Sequence, residues 1–168
     1  MQDIVLTPHF YLKEFIESPK ARQYGIDNSP STEIVNNLRC LCEGTLEPLR
    51  EAMGLPIVIT SGYRCKALNE RMVHHSRKSQ HVAGQAADFY VGYPLTDPGT
   101  APSQRELLIK AFRQIILDDG IDFDQLILYP SFIHVSYVSR ELNRRKMTQA
   151  FGNGTYCALS RAEALLIN

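Results

Sequence analysis

The chain has 168 residues, and its apolar fraction of 44% and charged fraction of 21% are ordinary for a globular domain. Lysine and arginine together number 18, as do aspartate and glutamate, so the formal net charge is zero. This balance lacks the broad positive surface of a nucleic-acid-binding protein, and no apolar run approaches the ~18 residues that cross a bilayer. We expect a single domain over residues 1–168, without a nucleic-acid partner or a membrane span.

Helical spacing dominates the first third of the chain. It predicts a short amphipathic helix over 12–16 and a long helix that begins after Ser29 and Pro30. Ser29 is the expected cap, and Pro30 suits the first helical position because its missing N–H costs nothing there. Pro48 is expected to kink or divide this long helix, and Gly54 is expected to end it.

Strand patterns dominate the rest. Segments rich in β-branched and aromatic residues predict four strands: 56–60, 86–91, 125–129 and 132–137. Ser103 and Glu106 have the spacing of a capping box and open a helix that ends at 118–120. The proline-rich stretch 92–102 is expected to be a surface loop, and weak strand signals and a polar tail follow residue 147. Because helices and strands do not alternate strictly, an α+β fold with a small antiparallel sheet is favoured.

The four cysteines do not form a disulfide framework in a chain of this length and are expected to be reduced: Cys40, Cys42, Cys65 and Cys157. Adjacent His74 and His75 are interpreted as solvated loop residues, with a second metal site as the alternative. The basic stretch 140–146 is interpreted as a solvated face, with contact to an anionic substrate as the alternative.

Asp88 is the first candidate for a metal-binding residue. It stands between Ala87 and Phe89 in an apolar strand, where a partly buried carboxylate needs a cation or strong donors. His81 can approach it by a turn at Gly84.

His134 is the third candidate. In the strand 132–137, alternation places Phe132, His134 and Ser136 on one face. Each histidine alone is more often a core or surface residue than a ligand. Two imidazoles and one carboxylate together suit Zn²⁺, and three protein ligands leave the fourth position open, as in a catalytic site.

Three stretches carry a family resemblance: 60–65, which reads TSGYRC, 79–88, and 133–136, which reads IHVS. In this order they resemble the signature of the M15 zinc peptidases, a family of D-alanyl-D-alanine carboxypeptidases, dipeptidases and phage endolysins. Segments 14–15 and 25–28 resemble its phage-type branch, so the likeness runs from about residue 8 to about residue 146.

The resemblance implies a hedgehog/D,D-peptidase-like fold and one zinc ion held by His81, Asp88 and His134. It implies that Arg64 pairs with a substrate carboxylate or braces the transition state, which suits a guanidinium fork. Ser79, and Gln80 beside it, would contact the substrate; the alternative for Ser79 is a simple turn residue. The expected reaction is metal-assisted hydrolysis of peptidoglycan stem peptides, either as a carboxypeptidase or as an endopeptidase.

One feature departs from the family. Many members carry an acid three residues before the last histidine, or a histidine two before it, where this chain has Ser131 and Phe132. Asp124 is our candidate general base; the alternative is a carboxylate, at the start of the strand or behind the metal ligands, that orients a ligand histidine. Asp122 and Tyr129 are further candidates for a proton relay.

A catalytically weak or inactive zinc module that binds wall peptide or a protein partner is therefore the alternative function. No signal peptide is visible in residues 1–10, so a cytoplasmic protein is expected, which reaches the wall after export or lysis. The sequence does not indicate an oligomeric state.

Overall fold

The structure, a computed structural model, describes residues 3–73, 76–92 and 103–168. The predicted solvated pair His74 and His75 and nearly all of the predicted loop 92–102 lie outside the described residues. The described chain forms these helices: α1 Leu12–Ile16, α2 Pro19–Tyr24, α3 Thr32–Leu41, α4 Glu47–Met53, α5 Lys66–Asn69, α6 Gln104–Leu117 and α7 Arg161–Leu166. It forms these strands: β1 Val5–Thr7, β2 Phe10–Tyr11, β3 Ile57–Ser61, β4 Ala86–Val91, β5 Gln125–Leu128, β6 Ile133–Ser136, β7 Lys146–Ala150 and β8 Tyr156–Leu159.

The long helix is divided, as expected from Pro48. A π-helical turn, Cys42–Leu46, separates α3 from α4. Pro48 has no N–H to donate to the carbonyl of Gly44 four residues earlier. That carbonyl instead accepts a hydrogen bond from Asp122 N at 3.0 Å, so the break in the helix is satisfied by a distant loop.

The predicted cap of this helix was wrong. The helix begins at Thr32, and the Ser31 hydroxyl accepts a hydrogen bond from Ile34 N at 3.3 Å, so Ser29 and Pro30 precede the helix. Gly54 ends it as predicted, in a left-handed conformation with φ 62°.

The main sheet has six strands in the order β3-β4-β6-β5-β7-β8, and helices flank it. Its neighbouring strands are antiparallel except for β5 and β7, which are parallel. The sheet is therefore mostly antiparallel, as predicted. The parallel pair arises because the chain crosses back over residues 137–145 before it enters β7. The predicted α+β class is confirmed.

The two faces of the sheet have different roles. Alternate residues such as Leu126, Val135 and Phe89 are fully buried in the core beneath α6 and the α3–α4 helix. Their neighbours in sequence, Ile127, His134 and Asp88, lie on the opposite face, which we call the site face. One face of the sheet is therefore packed into the core, and the other face carries the polar groups of the site.

The C-terminal part differs from the predicted polar tail. Strands β7 and β8 form a hairpin, and α7 follows with a capping box between Ser160 and Glu163. Ala164 of α7 is fully buried in the core. None of the four cysteines forms a disulfide. Among the described residues, no helix is both long and apolar enough to cross a membrane.

Candidate metal centre and substrate cavity

Three side chains from separate segments meet on the site face. Asp88 lies on β4, His134 lies on β6, and His81 lies in the turns that precede β4. One candidate ligand atom from each lies within 4.8 Å of the other two, so the triad can hold a metal ion. The fold therefore brings the three predicted metal-binding residues together.

Backbone pairing places two of them. Asp88 and His134 are direct partners in the register of β4 with β6, so their side chains emerge side by side. His81 reaches them through a turn at Gly84, whose φ of 66° favours glycine. The carbonyl of Gly62, 2.7 Å away, accepts a hydrogen bond from His81 Nδ1, which leaves Nε2 facing the triad.

The protonation states suit a metal. Burial alone would raise the pKa of the Asp88 carboxyl, but the neighbouring imidazoles of His81 and His134 outweigh it and hold that pKa well below its usual range. Burial lowers the pKa of His81. An ionised carboxylate and a neutral imidazole are the forms that coordinate metal ions.

The donor atoms also have spacings that a small cation can use. His81 Nε2 lies 3.3 Å from Asp88 Oδ1 and 3.3 Å from His134 Nδ1, and His134 Nδ1 lies 2.7 Å from Asp88 Oδ1. Ligands bound tetrahedrally to zinc at ~2.0 Å are separated by roughly 3.3 Å. Two of the three distances therefore match zinc as they stand, and the third fits if His134 Nδ1 and Asp88 Oδ1 move slightly apart.

Arg64 lies next to the triad, on the side of β3. Its Nη1 is 3.9 Å from Asp88 Oδ2 and donates to the Ser61 hydroxyl at 2.8 Å, and its Nη2 donates to the Ser79 hydroxyl at 3.4 Å. Its Nε is buried and has no hydrogen-bond partner. An unpaired buried donor is costly, and a ligand carboxylate would satisfy it.

The triad and Arg64 lie in a cavity of about 610 Å³. Tyr129 and Phe132 stack in its wall with centroids 4.2 Å apart, and Tyr156 meets Tyr129 edge-on at 6.2 Å. Basic side chains also line it: Lys78 and Arg144, in addition to Arg64. Among its described lining residues, Asp88 is the only carboxylate. The cavity therefore suits a ligand with negative charge and an apolar part.

Asp124, our candidate general base, lies outside this lining. Its Oδ1 accepts from Arg144 N at 2.9 Å and Nε at 2.8 Å, and its Oδ2 accepts from Gln80 Nε2 at 2.9 Å and from Arg144 Nη2. Burial would raise the pKa of Asp124, but these hydrogen bonds hold it at about 2, against the ordinary 3.8. A group with so low a pKa is a weak base near pH 7. These hydrogen bonds go to Gln80 and Arg144 rather than to a ligand histidine, so the geometry favours a role in which Asp124 orients those two side chains.

The predicted substrate contacts of Ser79 and Gln80 stay predictions, although both residues line the cavity. Ser131 is exposed, whereas Phe132 belongs to the aromatic wall. Sequence reasoning missed Tyr156 altogether, because its place in the cavity depends on the pairing of β7 with β8. The basic stretch supplied one cavity residue, Arg144, and no local signal singled it out from its neighbours.

Comparison with known proteins places the chain in a family. A family model described as Peptidase M15 matches residues 8–96, more than half of the 168-residue chain. The match includes His81 and Asp88 and ends before His134, which the sheet adds to the site. No curated protein matches the chain. The mixed fold is consistent with the hedgehog-like fold expected of this family, and the chain belongs to the Peptidase M15 family.

Proposed function

We propose that the protein is a zinc-dependent peptidase that hydrolyses stem peptides of peptidoglycan. The observation that carries the proposal is the convergence of His81, Asp88 and His134 beside Arg64 in one open cavity of a Peptidase M15 chain. When bound, zinc would supply Lewis acidity, which activates water and polarises a carbonyl near neutral pH. The side chains around the triad would bind the substrate and donate hydrogen bonds to it.

Arg64 would bind the carboxylate of the substrate. Its side chain is only 14% exposed, and its unpaired Nε gives it an unused donor. Asp88 compensates part of its charge at 3.9 Å, but that carboxylate also belongs to the triad. A free carboxylate next to the cleaved bond would complete the hydrogen bonds of Arg64, which favours a carboxypeptidase over an endopeptidase.

Tyr129 would donate a hydrogen bond to the reacting peptide. Burial, the hydroxyl of Tyr156 and the charge of Asp88 together raise the pKa of Tyr129 above its usual value. Its hydroxyl therefore stays protonated and acts as a donor rather than as a base. Such a donor stabilises an oxygen that gains negative charge.

The alternative function, a zinc module that binds wall peptide without cleaving it, has one specific observation in its favour. No carboxylate other than Asp88 lines the described part of the cavity, and Asp124 is fully engaged by Arg144 and Gln80. Loss of general acid–base assistance typically costs ~10²–10⁴ in rate. A chain of this kind could retain binding with little turnover.

Purified muropeptides distinguish the two functions. Zinc-loaded protein, chelator-treated protein and the His134→Ala variant are incubated in parallel, and the products are weighed by mass spectrometry. We expect loss of a terminal D-alanine that requires both zinc and His134. Zinc bound at one ion per chain with no cleavage of any stem peptide would exclude the peptidase on this substrate and favour the binding module.

A further inference from the structure

The site face continues well beyond the triad. Asp88, His134, Ile127, Thr148 and Ala158 are direct register partners across β4, β6, β5, β7 and β8, so they form one row. Ile127 is 8% exposed, Thr148 is half-buried and Ala158 is exposed. The row therefore starts at the triad and opens to solvent at the edge strand β8.

Larger side chains border this row on both sides. The aromatic wall of Tyr129 and Tyr156 borders one side, at the end of β5 and the start of β8. Gln80 and Arg144 border the other side, joined by a hydrogen bond of 3.4 Å. Ile127 of this row lines the cavity together with Tyr129, Tyr156 and Arg144. We call this part of the cavity, which runs from the triad at β6 to Tyr156 on β8, the outer groove.

The length of the outer groove sets the size of its ligand. From β6 to β8 it crosses three strand spacings, roughly 14 Å at about 4.8 Å each. An extended peptide advances about 3.4 Å per residue, so roughly four residues would fit. A free dipeptide has only one residue before its peptide bond, so it would leave most of the outer groove empty.

The position of Arg64 sets the direction in which a bound peptide runs along the row. It lies at the opposite end of the row, beside β3, and is only 14% exposed. A peptide whose terminal carboxylate meets Arg64 has its cleaved bond over the triad, and its preceding residues continue toward β8. The acyl part of the substrate is then the part that meets Ile127 and the faces of Tyr129 and Tyr156.

We propose that the outer groove binds the acyl part of a peptide substrate, at least two residues before the cleaved bond, and that Tyr156 is a binding residue for it. This inference rests on the proposed function and adds to it the place where the acyl part of the substrate binds and a residue that binds it. Tyr156 is 56% exposed and presents its ring to the groove, as an amphipathic aromatic contact would. The free edge of Arg144, whose Nη1 makes no hydrogen bond to the described residues, offers a polar contact across from it.

The test measures binding separately from cleavage. N-acetylated peptide analogues of two, three and five residues, all ending in D-alanine with an uncleavable reduced final bond, are titrated into the zinc-loaded full chain by calorimetry. Tyr156→Ala is compared with Phe151→Ala, a matched control: Phe151 is 49% exposed in the same hairpin and is not among the cavity-lining residues. Both side chains are exposed, so neither change should disturb folding.

We expect the Kd to fall about tenfold or more from the two-residue to the five-residue analogue. Tyr156→Ala should raise the Kd of the five-residue analogue about five- to tenfold and leave the two-residue analogue within about twofold. A Kd independent of length, or equal effects of the two variants, would overturn the outer groove. Hydrolysis of the cleavable five-residue peptide, measured on the same samples, tests the proposed function separately. Length-dependent binding without zinc-dependent hydrolysis of this peptide would support the outer groove and exclude the peptidase on this substrate.

Discussion

Replacing Asp124 by asparagine tests whether its carboxylate has a structural role or acts as the general base. Asp124 is 1% exposed and accepts hydrogen bonds from Arg144 and Gln80. These bonds hold its pKa at about 2, against 3.8 for the free group. Because the folded pKa is the lower one, the carboxylate stabilises the fold above about pH 4, and this stabilisation is lost as the pH falls toward 2.

The shift corresponds to about 2 kcal/mol of unfolding free energy at pH 7, and to roughly half of that at pH 3. We expect Asp124→Asn to lower the free energy of unfolding by this amount at pH 7 and by less at pH 3. Urea unfolding at the two pH values measures the difference, with the exposed Asp119→Asn as the control. Turnover should fall by less than about tenfold, with the pH–rate profile unchanged between pH 5 and 9.

The opposite pattern would refute this reasoning. If Asp124→Asn kept full stability, lost ~10²–10⁴ in kcat and lost the acidic limb of the pH–rate profile, Asp124 would be the base.

Gly62→Ala should weaken zinc binding by about tenfold in a chelator competition. Its Cβ would lie 2.5 Å from the Phe15 carbonyl oxygen and would displace the Gly62 carbonyl, which accepts the hydrogen bond from His81. Unchanged zinc affinity would contradict this role of the Gly62 carbonyl. Arg64→Lys should raise KM for peptides with a free C-terminal carboxylate and not for their amides, since lysine lacks the guanidinium fork; an equal effect on both would exclude carboxylate recognition. Ser103→Ala should cost about 1 kcal/mol in urea unfolding, because the Ser103 hydroxyl caps α6 by accepting from a backbone N–H at 3.2 Å; zinc content should stay the same.

Elements with local signals were predictable. Helix α6 follows from its capping box at Ser103, and the site face of β6 follows from the alternation around His134. The long helix shows the limit of such signals, because Ser29 was predicted to cap it, whereas the helix begins at Thr32 and Ser31 is its cap. A local pattern therefore gives the element and leaves its boundary open by a few residues.

The site was predictable in its ligands and not in its surroundings. The buried carboxylate of Asp88 and the strand alternation around His134 made these residues candidates, and the family resemblance joined them with His81 into one ligand set. The role of Asp124 could not be predicted, because it depends on Arg144 arriving from a loop twenty residues later. The same is true of Tyr156, which reaches the cavity through the pairing of β7 with β8.

The central claim is that His81, Asp88 and His134 hold one zinc ion that is needed for hydrolysis. The most direct test measures zinc content and cleavage of a D-alanyl-D-alanine peptide on the same samples of wild type, Asp88→Ala and His134→Ala. His9→Ala serves as the control, because His9 pairs with Glu47 outside the cavity lining. The account predicts one zinc per chain and cleavage in wild type and His9→Ala, and neither in the two triad variants. Zinc retained at one per chain in both triad variants, or cleavage that survives in either of them, would contradict it.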